Sequence, residues 1–506
     1  MLARLTSLPL ILQLTALFAL AMAVPALHGL AQGDSGAARA FGSAAALGLV
    51  FVLITGLAMT PARRWEGSDL ANLASLGLAY TVMPLFLAVP FHQSLATTSF
   101  LNAYFEMVSS LTTTGATLFD DPGRLSASLH LWRGLVGWLG GLMIWVSAAA
   151  VLAPMYLGGF ELTVRAEPGQ GADRIDRFHP ASSARRIARI GAQLTPVYAG
   201  LTGALWLMLM ISGDRPLVAA IHAMSTMATS GISPVGDMPA ADSGLAGEML
   251  IFLFLLFALS RQTISSDIAR PGRPGLLSDP EFRIGLMLVF GVPVMLFLRH
   301  WIGAYELDEG ENLAQALRAL WGSVFTVLSF LTTTGFESAS WGASRDWSGL
   351  GTPGLVLMGL AIMGGGVATT AGGVKLLRVY LLYLDVQRET ERLIHPRSVS
   401  RASGMSRRFR REGAFVAWVF FMLFALSLAA VTIILGGLGQ SFEAATVLAI
   451  AMLSTTGPLT QAATDTPIDL LQLGGPAKLV LCLSMVVGRL ETLAIIPLFN
   501  PGLWRE

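Results

Sequence analysis

An all-α polytopic membrane protein is the fold class this sequence predicts: two N-terminal transmembrane helices followed by four helix–pore-loop–helix repeats around a central pore. Three observations carry that expectation. Of 506 residues, 54% are hydrophobic and only 13% are charged, and the mean hydropathy is +0.64. Apolar runs of about 20 residues recur, the length needed to cross about 30 Å of hydrocarbon. Between them lie shorter apolar segments that end in small polar residues and a glycine, as expected of helices that enter the membrane and stop halfway.

The first run, roughly 7 to 30, follows Arg4 and contains "AMAVPALHGLA". It is long for the apolar part of a cleavable leader and another span follows at once, so a retained first helix is expected. Further spans read at 41–61, 69–91, 131–154, 191–212, 245–262, 283–299, 352–383, 413–437 and 478–499. Half-length segments of about 12 residues read at 100–112, 217–229, 315–331 and 442–455. The expected organisation is 1–65 for the two leading helices, then repeats at 66–155, 185–265, 280–385 and 412–506. The single cysteine, Cys482, lies in an apolar run and excludes a disulfide framework or a thiolate metal cluster.

Net charge is +1, so orientation rests on where the 33 Lys and Arg residues fall. With both termini cytoplasmic, most of them lie on inner loops: Arg63 and Arg64, Arg165 to Arg189, Arg261 to Arg283, and the dense cluster Arg378 to Arg411. Outside fall Arg39, Arg124, Arg133, Arg215, Arg299, Arg318 and Arg345. The outer loops also carry Asp120, Asp121, Asp214, Asp237, Asp242, Glu306, Asp308, Glu309, Asp465 and Asp469. An acidic outer face raises the local cation concentration at an entrance, although solvated loop charge reads equally well.

Each repeat is a span, a half-helix, a glycine motif and a span. The motifs are "TTTGAT" (112–117), "ATSGIS" (228–233), "TTTGFE" (332–337) and "STTGPL" (454–459), and Gly115, Gly231, Gly335 and Gly457 recur at similar spacing. Non-helical backbone at membrane depth is tolerated where it is buried in protein or lines a cavity. A tight glycine turn after a half-helix can aim successive carbonyls inward, and four copies make rings of oxygens that replace the hydration shell of a monovalent cation. The expected ligands are Thr113, Thr114, Gly115 and Ala116; Thr229, Ser230, Gly231 and Ile232; Thr333, Thr334, Gly335 and Phe336; and Thr455, Thr456, Gly457 and Pro458. Helix packing through small residues is the competing reading of any one motif, and four in register outweigh it.

Two further features stand out. Arg489 lies mid-span in "LCLSMVVGRLETLAII", where an arginine needs a partner or a water-filled path. Glu491 is two residues on and so a poor partner, while Glu106 in the first half-helix is a carboxylate that could pair across repeats. "GGGVATTAGGVK" (364–375) cannot be regular helix and reads as an irregular cavity-lining loop, with Gly364, Gly365, Gly366, Gly372 and Gly373, after which Lys375 resumes the helix.

With these residues the sequence resembles the Trk/Ktr/HKT potassium transporters, most of all the membrane subunit of the Trk type. The four motifs look like that family's filter loops. "LWRGLVGWLGGLMIW" (131–145), "SDPEFRIGL" (278–286), "GGGVATTAGGVKLLRV" (364–379) and "GRLETLAIIPLFNPGLWR" (488–505) resemble further parts, so the likeness covers nearly the whole chain. Ser230, and "TTGPL" in place of a commoner "N-x-G-P-G", depart from the pattern. The resemblance implies K⁺ as the ion, since Gly115 stands where serine accompanies sodium transport. It also implies a gate in which loop 364–375 blocks the inner pore with Arg489 beneath the filter. Further implications are a homodimer, a cytosolic RCK-type nucleotide-binding ring on the basic inner face, and residence in the lipid bilayer of the bacterial inner (plasma) membrane. No ATP hydrolysis by the chain itself is expected, for the sequence holds no P-loop, no phosphorylatable aspartate motif and no soluble domain; no enzymatic activity and no nucleic-acid partner are expected. Ion-coupled solute symport and the ion-binding subunit of an ATP-driven K⁺ pump are the alternatives; four similar repeats and the Trk-like ends argue against them.

Overall fold

The computed structural model describes residues 9–59, 69–153, 183–236, 238–260, 276–303, 313–349, 353–395, 404–464 and 466–491. All regular structure among them is helical. The "PLFNPGLWR" end of the last motif, the acidic positions Asp237, Glu306, Asp308, Glu309 and Asp465, and the basic loop positions Arg63, Arg64 and Arg165 lie outside the described residues, as do Arg397 and Arg401.

Helices α1 (Leu10–Ala21), α2 (Ala23–Gln32) and α3 (Ser35–Ala58) precede the repeats. Asp34 caps α3 through Ala37 N at 3.0 Å. The first repeat is α4 (Asp69–Ser94), the half-helix α5 (Phe100–Leu111) and α6 (Ala127–Ser147), which runs on as a π turn over Ala148–Leu152. The second is α7 (Ser183–Ile211), α8 (Pro216–Ala228) and α9 (Gly244–Leu255). The third is α10 (Pro280–Gly303), α11 (Leu313–Leu331), a short outer helix α12 (Trp341–Ser348), then α13 (Pro353–Met363) and α14 (Leu376–Ile394) on either side of the glycine-rich break. The fourth is α15 (Gly404–Gly437), α16 (Phe442–Leu453), a single turn α17 (Leu459–Ala462) and α18 (Gly475–Leu490).

Seven of the described helices are long and apolar enough to cross a membrane. Their outward faces carry exposed Leu, Ile, Val and Phe, such as Leu57, Ile211, Met287 and Ile433, as helices in lipid do. The third half-helix, 19 residues, starts two residues before the expected 315 and is longer than the other three, of 12 or 13 residues.

The repeats close into a ring. The second helix of each packs on the half-helix of the next: α6 on α8, α9 on α11, α13 on α16, and α18 back on α5. Within a repeat, Gly140 of α6 and Gly488 of α18 allow close packing on its own half-helix, since a Cβ on either would collide with the last-turn carbonyl, Leu111 O or Leu453 O; across the seam, a Cβ on Gly141 of α6 would crowd Ala228 of α8.

Candidate ion pathway

Each half-helix ends in the same way. In the first, Thr113 N–H bonds Ser110 O (3.0 Å) and Thr114 N–H reaches back to Ser109 O (2.9 Å). In the third, Thr333 N–H bonds Phe330 O (3.1 Å) and Thr334 N–H bonds Ser329 O (2.9 Å). This double back-bond needs a left-handed residue at the turn, a place usually given to glycine. Here a threonine takes it every time: Thr113, Thr229, Thr333 and Thr455 have φ of 54°, 49°, 58° and 56°. A β-branched residue in that region is a genuine outlier, and four at equivalent positions single this place out as the candidate site. The flanking threonines stabilise the turn, as in Thr112 with Thr114 (2.8 Å) and Thr332 with Thr334 (3.1 Å) between hydroxyls.

The four motifs meet at one place. A Cβ built on Gly115 would collide with Ser230 O, one on Gly231 with Thr334 O, and one on Gly457 with Ala116 N; one on Gly335 would lie 2.9 Å from Pro458 Cβ. Loops 1, 2, 3 and 4 are therefore neighbours in cyclic order, with the negative dipole ends of the half-helices directed at the shared centre. Gly115, Gly231 and Gly335 have φ of 74°, 64° and 85°; Gly457 is absent from the positive-φ set.

The fourth loop differs. After Thr455 it turns helical, and Thr456 O, Gly457 O and Pro458 O accept from Leu459 N (3.1 Å), Thr460 N (3.0 Å) and Gln461 N (2.9 Å). In the first loop Ala116 O is taken by Ser109 Oγ at 2.6 Å, and Thr114 O accepts Gly457 N at 2.6 Å. The predicted ligand carbonyls of Thr114, Ala116, Thr456, Gly457 and Pro458 are thus committed to bonds within the protein, those of the fourth loop because Pro458 fits the first turn of a helix.

Beyond the glycines, buried polar side chains hold the ascending limbs. Glu106 accepts from Thr117 Oγ1 (2.9 Å) and Leu118 N (2.5 Å). His222 Nε2 lies 3.0 Å from Ser233 Oγ, and Thr326 Oγ1 accepts Ser338 N at 3.3 Å. These three occupy one position relative to Gly115, Gly231 and Gly335; its counterpart before Gly457 is Leu448. Glu106 also forms an ion pair with Arg133 (2.9 Å). That corrects two expectations: Glu106 pairs within its own repeat, and Arg133 is buried on α6 rather than set in an outer loop. Asp214 is likewise buried, accepting Ser243 N at 2.8 Å.

Loop 364–375 lies against the inner side of the motifs. Gly372 N–H donates to Thr333 Oγ1 (2.7 Å), Thr229 Oγ1 bonds Thr370 Oγ1 (3.2 Å), and a Cβ on Gly372 would collide with Ser454 O and Thr455 Oγ1. Thr113 Oγ1 and Thr455 Oγ1 are buried without a hydrogen-bond partner. Arg489 Nη1 donates to Thr370 O at 2.7 Å, which ties this arginine to the loop. Lys375, at φ 81°, turns its ammonium back onto Ala371 O. The ends are fastened separately: Val367 N–H to Glu281 Oε1 (2.9 Å), and Val374, Lys375 and Leu376 N–H to Ile362, Met363 and Gly365 carbonyls (2.9, 3.0 and 3.0 Å). A small cavity on the inner side is lined by Ala371, Gly373, Lys375, Arg489 and Glu491.

Arg378, placed by sequence in the inner basic cluster, is fully buried. It pairs with Glu491 (2.8 Å) and stacks on Phe420 with its guanidinium carbon 3.8 Å from the ring centroid. At the outer mouth Asp120 Oδ1 accepts Gln461 Nε2 at 3.3 Å. Burial raises the Asp120 carboxyl above the usual range, the charge of Asp469 adds to this, and the Gln461 bond opposes it.

Four half-helices that converge on one centre, with a broken helix packed against them, define a channel-like membrane transporter and not an enzyme. The chain belongs to the TrkH family of cation transport proteins, whose profile matches residues 251–503. It is 31% identical over 435 residues, 85% of each chain, to a Trk system potassium uptake protein TrkH of Halomonas elongata. It is 29% identical over 500 residues, 96% of this chain and 94% of the relative, to the TrkI protein of the same organism. The fold matches the crystal structure of the potassium transporter TrkH from Vibrio parahaemolyticus with TM-score 0.80 and 25% identity over the full length of both.

Proposed function

We propose that this chain takes up K⁺ across the bacterial inner membrane, both termini cytoplasmic, with repeats at 66–155, 185–265, 280–385 and 412–506 behind the two helices of 1–65. The observation that carries the reading is the convergence of four left-handed threonine turns at one centre. Backbone oxygens of Thr113 and Gly115, of Thr229, Ser230, Gly231 and Ile232, of Thr333, Thr334, Gly335 and Phe336, and of Thr455 bind the dehydrated ion. Thr114, Ala116, Thr456, Gly457 and Pro458 serve through the shape of the turn. Loop 364–375 is the gate, its Gly364, Gly365, Gly366, Gly372 and Gly373 permitting close contact with the filter, and Lys375 and Arg489 hold it from below. A cytosolic RCK-type nucleotide-binding ring on the inner face controls that gate, and two chains form a homodimer.

Flux of K⁺ and Na⁺ into proteoliposomes tests the filter. At Gly335 a side chain meets both φ 85° and the Pro458 ring, so Gly335→Ser lowers K⁺ over Na⁺ discrimination about tenfold. Unchanged discrimination would sink the assignment. Flux with and without a co-expressed nucleotide-binding subunit tests the control.

A further inference from the structure

Glu248 sits on α9, in the second repeat, and is only 3% exposed. Its carboxylate does not serve its own repeat. Oε2 accepts from Trp321 Nε1 (2.8 Å) and Ser338 Oγ (2.8 Å), and Oε1 accepts from Ala339 N (2.7 Å). All three donors belong to the third repeat, and Ser338 and Ala339 form the limb that rises directly after Gly335, Phe336 and Glu337. None of the ion pairs among the described residues includes Glu248, in contrast to Glu106 with Arg133. A buried carboxylate with three neutral donors is worth more to the structure than a neutral acceptor, since hydrogen bonds to a carboxylate are the stronger kind.

We propose that Glu248 is a positioning and specificity-determining residue: it fixes the outer limb of the third filter loop from the neighbouring repeat and so sets the spacing of the Thr334, Gly335 and Phe336 carbonyls. The inference rests on the filter reading above. Three convergent donors leave no room for an amide, because an NH₂ at the Oε1 position would face Ala339 N–H donor to donor. Glutamine is therefore no substitute. The loop loses its outer anchor, its carbonyl ring loosens, and a smaller ion is discriminated against less strongly. Trp321 contributes one donor from the N-terminal half of the half-helix, so its indole N–H ties the carboxylate to that helix as well as to the limb.

The test uses the full chain in proteoliposomes and compares ⁸⁶Rb⁺ with ²²Na⁺ uptake. Glu248→Gln and Glu248→Ala lower the Rb⁺/Na⁺ ratio about tenfold, the worth of one charge-assisted hydrogen bond, while Rb⁺ still enters. Ser338→Ala, which leaves the carboxylate untouched, lowers the ratio about threefold, and Ser338→Ala adds little further in the Glu248→Gln background, because both act through one contact. Thermal unfolding of each purified variant separates lost fold from altered selectivity, and Ser338→Ala carries the test if the Glu248 variants do not fold. An unchanged ratio in folded Glu248→Gln, or full additivity of the pair, overturns the proposal. If Gly335→Ser also leaves the ratio unchanged, the filter reading fails; if Gly335→Ser alters it and the Glu248 and Ser338 variants do not, only the role of Glu248 fails.

Discussion

The four glycine-motif loops, proposed as the filter, and loop 364–375, proposed as the gate, are both irregular backbone between helices, and they are fastened in different places. A filter loop is bound all along its length: by back-bonds to its own half-helix, by hydroxyl pairs such as Thr332 with Thr334, and by a buried side chain at its outer limb. Loop 364–375 is bound firmly at its ends, to Glu281 and to α13, while its tip rests on the motif loops through Gly372 and Thr370 and is held from the other side by Arg489. On the proposed reading, the difference lets one membrane hold a fixed element and a moving one side by side. An element that must stay put spends its bonds on its own scaffold, and one that must leave makes its contacts with the surface it leaves.

The largest effect should come at the tip. Gly372→Ala cannot dock, since the new methyl meets Ser454 O and Thr455 Oγ1. Resting K⁺ flux without any partner subunit should rise about tenfold or more; a flux no higher than that of the unaltered protein would show that the tip is not what closes the path. In the fixed element, Glu106→Ala strands Arg133 in a buried site and frees the limb at Thr117 and Leu118. It should cost about 3–5 kcal/mol in thermal unfolding, and Glu106→Ala with Arg133→Met should regain much of that. A smaller change is expected at the fastened end of the gate, where Glu281→Ala removes the Val367 bond; resting flux should rise roughly threefold, about the worth of one hydrogen bond. Smallest is the mouth. Asp120 takes up its proton at a higher pH than an ordinary aspartate. Uptake at low K⁺ should fall as outer pH drops through that range, because the neutral acid no longer attracts cations, and Asp120→Asn should reduce uptake by about twofold and flatten the pH profile.

The sequence was most informative where the physics is local. A half-helix of apolar residues ending in Thr and Gly announces its own stop, and so α5, α8 and α16 fall within a residue or two of expectation. The break in the third repeat was equally plain, since five glycines and two threonines cannot continue a helix. What escaped is pairing between distant residues. Nothing in the run around Glu248 says that it will meet Trp321 and Ser338, and Arg133 and Arg378 look like loop charges until their carboxylates arrive from elsewhere in the chain. The departure of the fourth loop did leave a trace. Pro458 follows the motif glycine, and Leu448 stands where the other half-helices carry Glu106, His222 and Thr326, so the loop that lacks a polar brace is also the one that winds into a helix.

The ring of contacts, each repeat's second helix lying on the next repeat's half-helix, has a consequence for heredity. In an assembly of four identical subunits any substitution strikes every quarter at once, and a change that one quarter would tolerate is multiplied into one that the whole cannot. Joined in a single chain, the quarters mutate separately. Leu448 could lose its polar character, Glu248 could take up service for a neighbour and one half-helix could lengthen, each alteration tried once against three unaltered partners.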